Sequence, residues 1–227
     1  MQQKNKQKIV IVSHCFLNDA AKLRNQDERL QSGERISKRA FLKKMLTDDV
    51  EIIQLPCPEV ILYGTNRWGH AASQFDTPFF RQECRKMLTP IILQLQEYAK
   101  YPNRFEFLGI LGIDGSPSCG VNFTFDGDWG GELGNVANLV PTIDALKKVQ
   151  KPGIMMSVLK EMLLEYHLPM NLYSLESYPD KVSNSTYDFL DIPIKGNSKK
   201  GHPNTPSQSK FALKKEALKN GKSLDLL

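Results

Sequence analysis

Residues 105–120 read FEFLGILGIDGSPSCG, a stretch that combines the clearest predicted strand of the chain with an abrupt change of composition. Positions 105–113 are mostly apolar, with the length typical of a buried strand. Asp114 then opens a turn rich in glycine, proline and serine, and this turn carries Cys119. Such turns expose backbone N–H groups and hold side chains outward, so this thiol lies in an unusual place for a core residue.

The remaining sequence predicts strands that alternate with helices. Short β-branched and apolar runs, which end in polar or proline-containing turns, predict further strands at 7–15, 50–59, 151–159 and 170–179. Apolar residues at helical spacing predict helices at 32–49 and 76–101, within 132–149, and from the strand at 151–159 to Tyr166. Strands that are apolar on both faces need helices on both sides, so we expect an α/β fold with a mostly parallel, Rossmann-like sheet.

Individual residues predict where two of these helices begin or change direction. Ser32 is expected to cap the helix at 32–49. Pro78 fits the first turn of the helix at 76–101, whereas Pro90 is expected to kink or break it.

The composition is that of an ordinary globular protein. The 227 residues are 41% hydrophobic and 24% charged, which suits one large domain, alone or with an appendage. The apolar runs are far shorter than the roughly 20 residues that span a bilayer. The apolar run near the N-terminus is too short for a signal peptide. We therefore expect a cytoplasmic protein without a membrane partner, whose thiols stay reduced.

The net charge of +5 is concentrated at the C-terminus. Eight lysines and two acidic residues lie between positions 195 and 227, which gives this segment +6 and leaves −1 for the rest of the chain. We therefore divide the chain into an α/β domain at 1–190 and a basic linker at 191–227, with a terminal helix at 209–221. A solubilising extension explains this segment better than an anionic partner, so we expect no nucleic-acid partner.

Three of the four cysteines follow predicted strands. Cys15, Cys57 and Cys119 each come just after the carboxyl end of a strand, and these ends share one edge of a parallel sheet. We expect their sulfurs to converge within about 7 Å of one another, the scale of an iron–sulfur cubane. Cys84 lies in the long helix and is expected to be a small buried hydrophobe. The alternative is that all four are ordinary free cysteines.

If the three thiols share a metal, their number bears on which metal it is. A closed structural zinc site uses four ligands, whereas three thiolates suit an iron–sulfur cluster with one iron left open. The intervals of 42 and 62 residues between the cysteines match no ferredoxin pattern. A zinc-dependent hydrolase remains an alternative at this point.

Two polar residues stand close to these cysteines in sequence. Glu59 follows Cys57 by two residues, so its carboxylate is a candidate general acid that faces the site. Ser116 precedes Cys119 by three residues and is a candidate hydrogen-bond donor to a substrate carbonyl. A solvated surface glutamate and a turn-forming serine are the simpler interpretations.

Four more side chains are candidates for substrate binding. His14 and Asn18 flank Cys15, while Arg67 and Trp68 follow Cys57 by 10 and 11 residues. Histidine beside a ligand can donate to a cluster sulfur, arginine can hold an anionic or carbonyl group, and tryptophan can stack on a flat ring. Each also has a structural or surface interpretation.

Three short motifs carry a resemblance to a known family. They are VSHC (12–15), LPCPEV (55–60) with Gly64 and Arg67 downstream, and GIDGSPSCG (112–120). Over roughly residues 8–165 the chain resembles the small iron–sulfur desulfidases typified by thiouracil desulfidase. The resemblance implies that Cys15, Cys57 and Cys119 hold a [4Fe–4S] cluster whose open iron takes the sulfur of a thiocarbonyl substrate. It implies acid–base and substrate-orienting roles for Glu59 and Ser116.

One stretch departs from the best-known branch of that family. That branch continues after its first cysteine with Leu-Leu-Gly, whereas this chain reads CFLNDAAKLR, which is closer to a related branch. The expected function is an enzyme that removes sulfur from a thiocarbonyl small molecule, such as a thiolated nucleobase, and releases sulfide. The alternatives are a non-catalytic iron–sulfur or thiol sensor of redox state or sulfide, and the zinc-dependent hydrolase.

Overall fold

The computed structural model describes residues 6–24, 28–128, 130–131 and 139–179. The predicted basic linker at 191–227 and its terminal helix lie outside these residues, as does the predicted domain boundary before it.

Four parallel strands form the main sheet. They are β1 (Gln7–Val12), β2 (Val50–Gln54), β3 (Phe105–Gly112) and β6 (Leu172–Ser174), in the spatial order β2-β1-β3-β6. A separate antiparallel pair consists of β4 (Thr124–Asp126) and β5 (Lys147–Val149). The predicted α/β class with a parallel, Rossmann-like sheet is confirmed.

Helices cover both faces of the sheet. The first face carries α5 (Pro78–Ala99) and α7 (Ile154–Glu165), whose buried residues form one core cluster together with Ile11 of β1. The second face carries α2 (Glu28–Thr47), which packs in another cluster with Val10 and Val12. Successive side chains of a strand point to opposite faces, so β1 contributes to both cores.

Three strands end level with one another at the carboxyl edge of the sheet. Val12 pairs with Gln54 on one side and with Leu111 on the other. The chain goes from β1 outward to β2 and later returns to place β3 on the opposite side of β1. The strand order therefore reverses at β1, which is the position where α/β sheets open a crevice for ligands.

Two short helices start directly after these strand ends. They are α1 (His14–Leu17) after β1 and α3 (Pro58–Tyr63) after β2. The other short helices are α4 (Ala72–Phe75) and α6 (Leu139–Asp144). Within the described ranges no helix is both long enough and apolar enough to cross a membrane.

The prediction of a strand at 151–159 is wrong. This segment enters α7, which begins after Gly153 and buries seven of its side chains: Ile154, Met155, Met156, Val158, Leu159, Met162 and Leu163. A helix buried over most of its circumference shows the same unbroken apolar run as a buried strand, so the pattern alone does not separate them.

Two predicted helix signals also differ from the structure. Ser32 lies inside α2, which begins at Glu28, so it is not the cap. Pro90 lies inside the continuous helix α5, so the predicted break is wrong, whereas a kink at this position stays a prediction. Pro90 is exposed, so water can hydrogen-bond the carbonyl group one turn earlier, which has no N–H partner at the proline. Pro78 occupies the first turn as predicted, and the Thr77 side chain caps the helix.

Candidate functional site

Cys15 and Cys57 leave the sheet edge in equivalent positions. Each lies three residues after the last residue of its strand, Val12 or Gln54, and these two residues are paired across the sheet. Cys15 lies in α1, whereas Cys57 is the residue that precedes α3. The level strand ends therefore bring both cysteines to the crevice at the point where the strand order reverses.

Cys119 returns to the same edge although it lies seven residues beyond β3. Its carbonyl oxygen accepts a hydrogen bond of 2.9 Å from the Ile113 N–H, which folds the turn back onto the strand end. Gly112 makes this approach possible, because a Cβ atom at that position would lie 2.3 Å from the Cys119 carbonyl oxygen. The side chain of Asp114 accepts from the Val121 and Asn122 N–H groups at 2.9 and 2.8 Å, so it caps the turn.

The start of α7 fixes the turn from the other side. Its first N–H groups, those of Ile154 and Met156, donate to the carbonyl oxygens of Pro117 and Ser118 at 2.9 and 3.2 Å. These two bonds fix the peptide groups on either side of Ser118. The position of Cys119 is therefore determined by a strand, a folded-back turn and a helix terminus together.

Burial makes all three site thiols weak acids. It raises the pKa of Cys15 to about 11, raises the pKa of Cys57, and raises the pKa of Cys119 well above its ordinary value. Negative charge on Cys57 further raises the pKa of Cys15, and charges on both raise that of Cys119. The three thiols therefore lie close enough for their charges to interact, whereas convergence within about 7 Å stays a prediction.

Cys84 has different surroundings. It is fully buried in α5, and burial raises its pKa to about 12. The charges that act on it are those of Arg81 and Glu83 on its own helix. This environment fits the predicted role of a small buried hydrophobe.

Within the described ranges, no group of three or more histidine, cysteine, aspartate or glutamate side chains is arranged to hold a metal ion. In a site for a single metal ion, the thiolate sulfurs lie about 4 Å apart, because each metal–sulfur distance is about 2.3 Å. The cysteines that hold a cubane cluster stand further apart than this, because each binds a different iron.

Glu59 is buried beside the thiols rather than solvated at the surface. The residue is 7% exposed, and its Oε1 accepts a hydrogen bond of 2.5 Å from the Ser118 hydroxyl. Its Oε2 lies 3.1 Å from Nε of Arg67, in an ion pair whose two side chains are 10% and 4% exposed. The carboxylate is therefore held in one orientation from both sides.

Ser118 connects this carboxylate to a thiol and was not among the predicted residues. Its side chain is fully buried, and its hydroxyl also lies 3.4 Å from Sγ of Cys119. Glu59, Ser118 and Cys119 thus form a continuous chain of polar contacts. The sequence signal was the second serine of the SPSC segment, adjacent to the cysteine.

Ser116 combines its turn-forming interpretation with a place at the site. Its hydroxyl oxygen accepts from the Cys119 N–H at 3.0 Å and from the Ser118 N–H at 3.3 Å, which stabilises the turn. Among the residues that the structure describes, its proton has two long contacts, 3.4 Å to Glu59 and 3.3 Å to the Ser118 hydroxyl. A substrate acceptor at an ordinary distance of about 2.8 Å would compete well for this proton.

Arg67 holds protein groups instead of presenting an open guanidinium group. Besides its contact with Glu59, Nη1 donates to the Gly64 carbonyl oxygen at 3.0 Å and Nη2 to that of Ala21 at 2.8 Å. This arginine therefore links α3 to the segment after β1 and positions the carboxylate. Trp68, the next residue, is 59% exposed at the surface.

His14 and Asn18 make local contacts around the first cysteine. Nδ1 of His14 lies 2.7 Å from Nε2 of Gln54, and burial lowers the pKa of the imidazole. The Asn18 side chain accepts from the Ala20 N–H at 3.1 Å and caps the 3-10 turn that follows α1. Both residues support the shape of this segment.

The fold and this site define a Rossmann-like α/β protein with three cysteines and a buried carboxylate at the carboxyl edge of its sheet. The chain is 37% identical over 114 residues to a protein of Methanocaldococcus jannaschii described as uncharacterized protein MJ0003. The alignment covers 50% of this chain and 68% of that protein. The chain belongs to the family of this archaeal protein. No family model and no solved structure matches it.

Proposed function

We propose that the protein is a [4Fe–4S]-dependent desulfidase that removes sulfur from a small thiocarbonyl compound, such as a thiolated nucleobase, and releases sulfide. One observation carries this proposal, the continuous chain of contacts from Glu59 through Ser118 to Cys119. It links an oriented, buried carboxylate to one of the three site thiols. The motifs that resemble the thiouracil desulfidase family contribute all of these residues.

The donor set suits an iron–sulfur cluster. Cys15, Cys57 and Cys119 are soft ligands, and thiolates are the usual ligands of iron in such clusters. Because burial raises their pKa values, the thiols are protonated at neutral pH without metal, so cluster binding would release their protons. When bound, the cluster would supply an iron that has no protein ligand and acts as a Lewis acid toward sulfur.

The proposed reaction is a hydrolysis. Water forms a C–O bond at the thiocarbonyl carbon, the C–S bond breaks, and sulfur leaves as hydrogen sulfide. The products are a carbonyl compound and hydrogen sulfide, so no electrons are exchanged. The protein must therefore move both protons of the attacking water to the leaving sulfur, which is general acid–base chemistry.

Glu59 is the residue placed for this proton transfer. Ser118 and Arg67 each occupy one carboxylate oxygen, which fixes its orientation and leaves further lone pairs for a water molecule. Ser116 is placed to donate its hydroxyl proton to the substrate. Trp68 remains a candidate for stacking on a ring-shaped substrate, since its exposed side chain follows Arg67 directly.

A sensor based on bare thiols has less support from the site. Thiols that sense oxidants have low pKa values and are accessible to solvent. Here burial raises the pKa values of all three site thiols. A sensor would also not need a carboxylate held in place by two partners.

The deciding experiment begins with anaerobic purification and reconstitution with ferrous iron and sulfide. We expect about four irons and four acid-labile sulfides per chain, the composition of the cluster, and sulfide release from a panel of thiocarbonyl compounds. Cys119→Ser should lose the cluster, whereas the matched control Cys84→Ser should keep it. A colourless protein with one bound zinc would favour the hydrolase, and a cluster-loaded protein inert toward the whole panel would favour the sensor.

A further inference from the structure

Lys38 is a charged residue in the buried stripe of α2. The stripe consists of Lys38, Phe41 and Met45, at the spacing with which one side of a helix packs on a core. Phe41 and Met45 pack in the core cluster on this face of the sheet, while the lysine side chain is only 1% exposed. An ammonium group in such a position is destabilising unless its partners satisfy it.

The partners of Lys38 connect α2 to the segment that carries the first cysteine. Its Nζ donates to the carbonyl oxygen of Cys15 at 2.6 Å and forms an ion pair with Asp19. Glu34, one turn earlier on α2, lies 3.4 Å from the same nitrogen and also pairs with Lys22. The buried lysine therefore fastens the backbone of Cys15 and the turn after it to the helix.

We propose that Lys38 is a positioning residue that holds the segment 13–22 so that the Cys15 thiol faces those of Cys57 and Cys119. Its ammonium group acts through the backbone of Cys15. The two lysines and two carboxylates of this network carry no net charge together, so its main effect is on geometry. Only the iron measurement described below rests on the proposed function.

A thiol-reactivity experiment separates the positioning role of Lys38 from a purely electrostatic role. The two roles predict changes of opposite sign in the alkylation rate of Cys15. The positive charge of Lys38 lowers the pKa of Cys15 against the effect of burial. Removing the charge alone would leave less thiolate and slow alkylation of Cys15. Losing the positioning contact would open the segment, expose this half-buried thiol further and speed alkylation. The sign of the change therefore separates the two roles.

The test compares Lys38→Met with the wild type as reduced, metal-free, full-length proteins at one pH. Iodoacetamide labelling is followed separately at each cysteine by mass spectrometry. We expect Cys15 to react at least about tenfold faster in the variant, as local opening becomes more populated. Cys84 serves as the internal control, because its rate rises only if the whole protein unfolds.

Two further variants complete the experiment. Lys44→Met is the matched control, because Lys44 lies on the same helix and pairs with Asp48 at 2.7 Å, away from the cysteines. Asp19→Asn weakens the Lys38–Asp19 ion pair from the loop side. This carboxylate is 34% exposed, so the protein should fold with this substitution even if Lys38→Met does not fold. Labelling of Cys15 at the wild-type rate or slower in the folded variants would overturn the proposal.

Iron retention provides the second measurement. After reconstitution, Lys38→Met and Asp19→Asn should lose iron to a chelator faster than the wild type and Lys44→Met. If the wild type binds no iron, the proposed function fails, but the labelling rates still decide the role of Lys38. Iron loss at the wild-type rate together with faster labelling would also contradict the link between this contact and the metal site.

Discussion

Replacing Glu59 by glutamine tests the proton-transfer step with little change of shape. The amide oxygen can still accept from the Ser118 hydroxyl, which now lies 2.5 Å from Oε1. The amide nitrogen would face Nε of Arg67, so the ion pair is lost and two donors oppose each other. Arg67 keeps its bonds to the Gly64 and Ala21 carbonyl oxygens, which limits the damage.

The substitution should affect stability and activity to different extents. Removing one partner of a fully buried ion pair costs about 3–5 kcal/mol. Because Arg67 retains two carbonyl acceptors, we expect Glu59→Gln to destabilise the protein by about 1–3 kcal/mol, as for a buried polar group that loses one partner. Activity should fall by about 10²–10⁴-fold, the usual contribution of a general acid–base group. The loss should appear in kcat, since the binding contacts of the substrate are unchanged.

The assay measures sulfide release at saturating substrate, with rates normalised to bound iron and with melting temperatures recorded. The control is Glu51→Gln, which changes an exposed glutamate on β2 and should leave both rate and iron unchanged. Full activity per iron in Glu59→Gln would refute the acid–base role. A drop in iron content equal to the drop in activity would show that the carboxylate supports the metal site instead.

Four more substitutions test other parts of the protein. Gly112→Ala should destabilise the protein by about 1–3 kcal/mol in urea unfolding and reduce iron binding, because the new Cβ meets the Cys119 carbonyl oxygen at 2.3 Å. The control is Gly33→Ala, in an open helical position, which should stabilise the protein by up to about 1 kcal/mol. Ser118→Ala removes the 2.5 Å hydrogen bond to the carboxylate proposed for acid–base catalysis, so kcat should fall about 10-fold to 100-fold with KM nearly unchanged. Cys84→Ala concerns pH: burial raises the pKa of this thiol to about 12, so its contribution to stability is present below pH 9 and is lost as the pH rises towards 12. Above pH 9 the unfolding free energy of the metal-free protein should therefore fall less steeply with pH in Cys84→Ala than in the wild type. The two slopes should differ by up to about 1.4 kcal/mol per pH unit, and equal slopes would contradict this.

The sheet and the thiol positions could be predicted because local patterns determine them. Short β-branched runs that stop at polar turns located β1, β2 and β3, and the parallel arrangement then placed Cys15 and Cys57 at one edge. The prediction failed at 151–159, where the first half of α7 was taken for a strand because burial on most sides removed the helical periodicity from the sequence.

The polar contacts of the site could not be predicted in the same way, because they depend on tertiary packing. Lysine is ordinarily exposed, and nothing local indicates that Lys38 meets a carbonyl oxygen 23 positions earlier. Arg67 was expected to face a substrate, but its neighbours in the fold supply three acceptors. Of the two serines in SPSC, only the packed turn reveals that Ser118 makes the short contact to Glu59.

The level ends of β1, β2 and β3 also constrain the order in which the site assembles. The cysteines are separated by 42 and 62 residues in the sequence, and they reach the same sheet edge only after parallel pairing has closed both long loops. Loop closure of this kind makes folding slow, because its entropy is lost before the non-local contacts form. Metal would thus enter a chain that has already folded, and occupancy would then hold three distant loops together and slow the opening of the sheet.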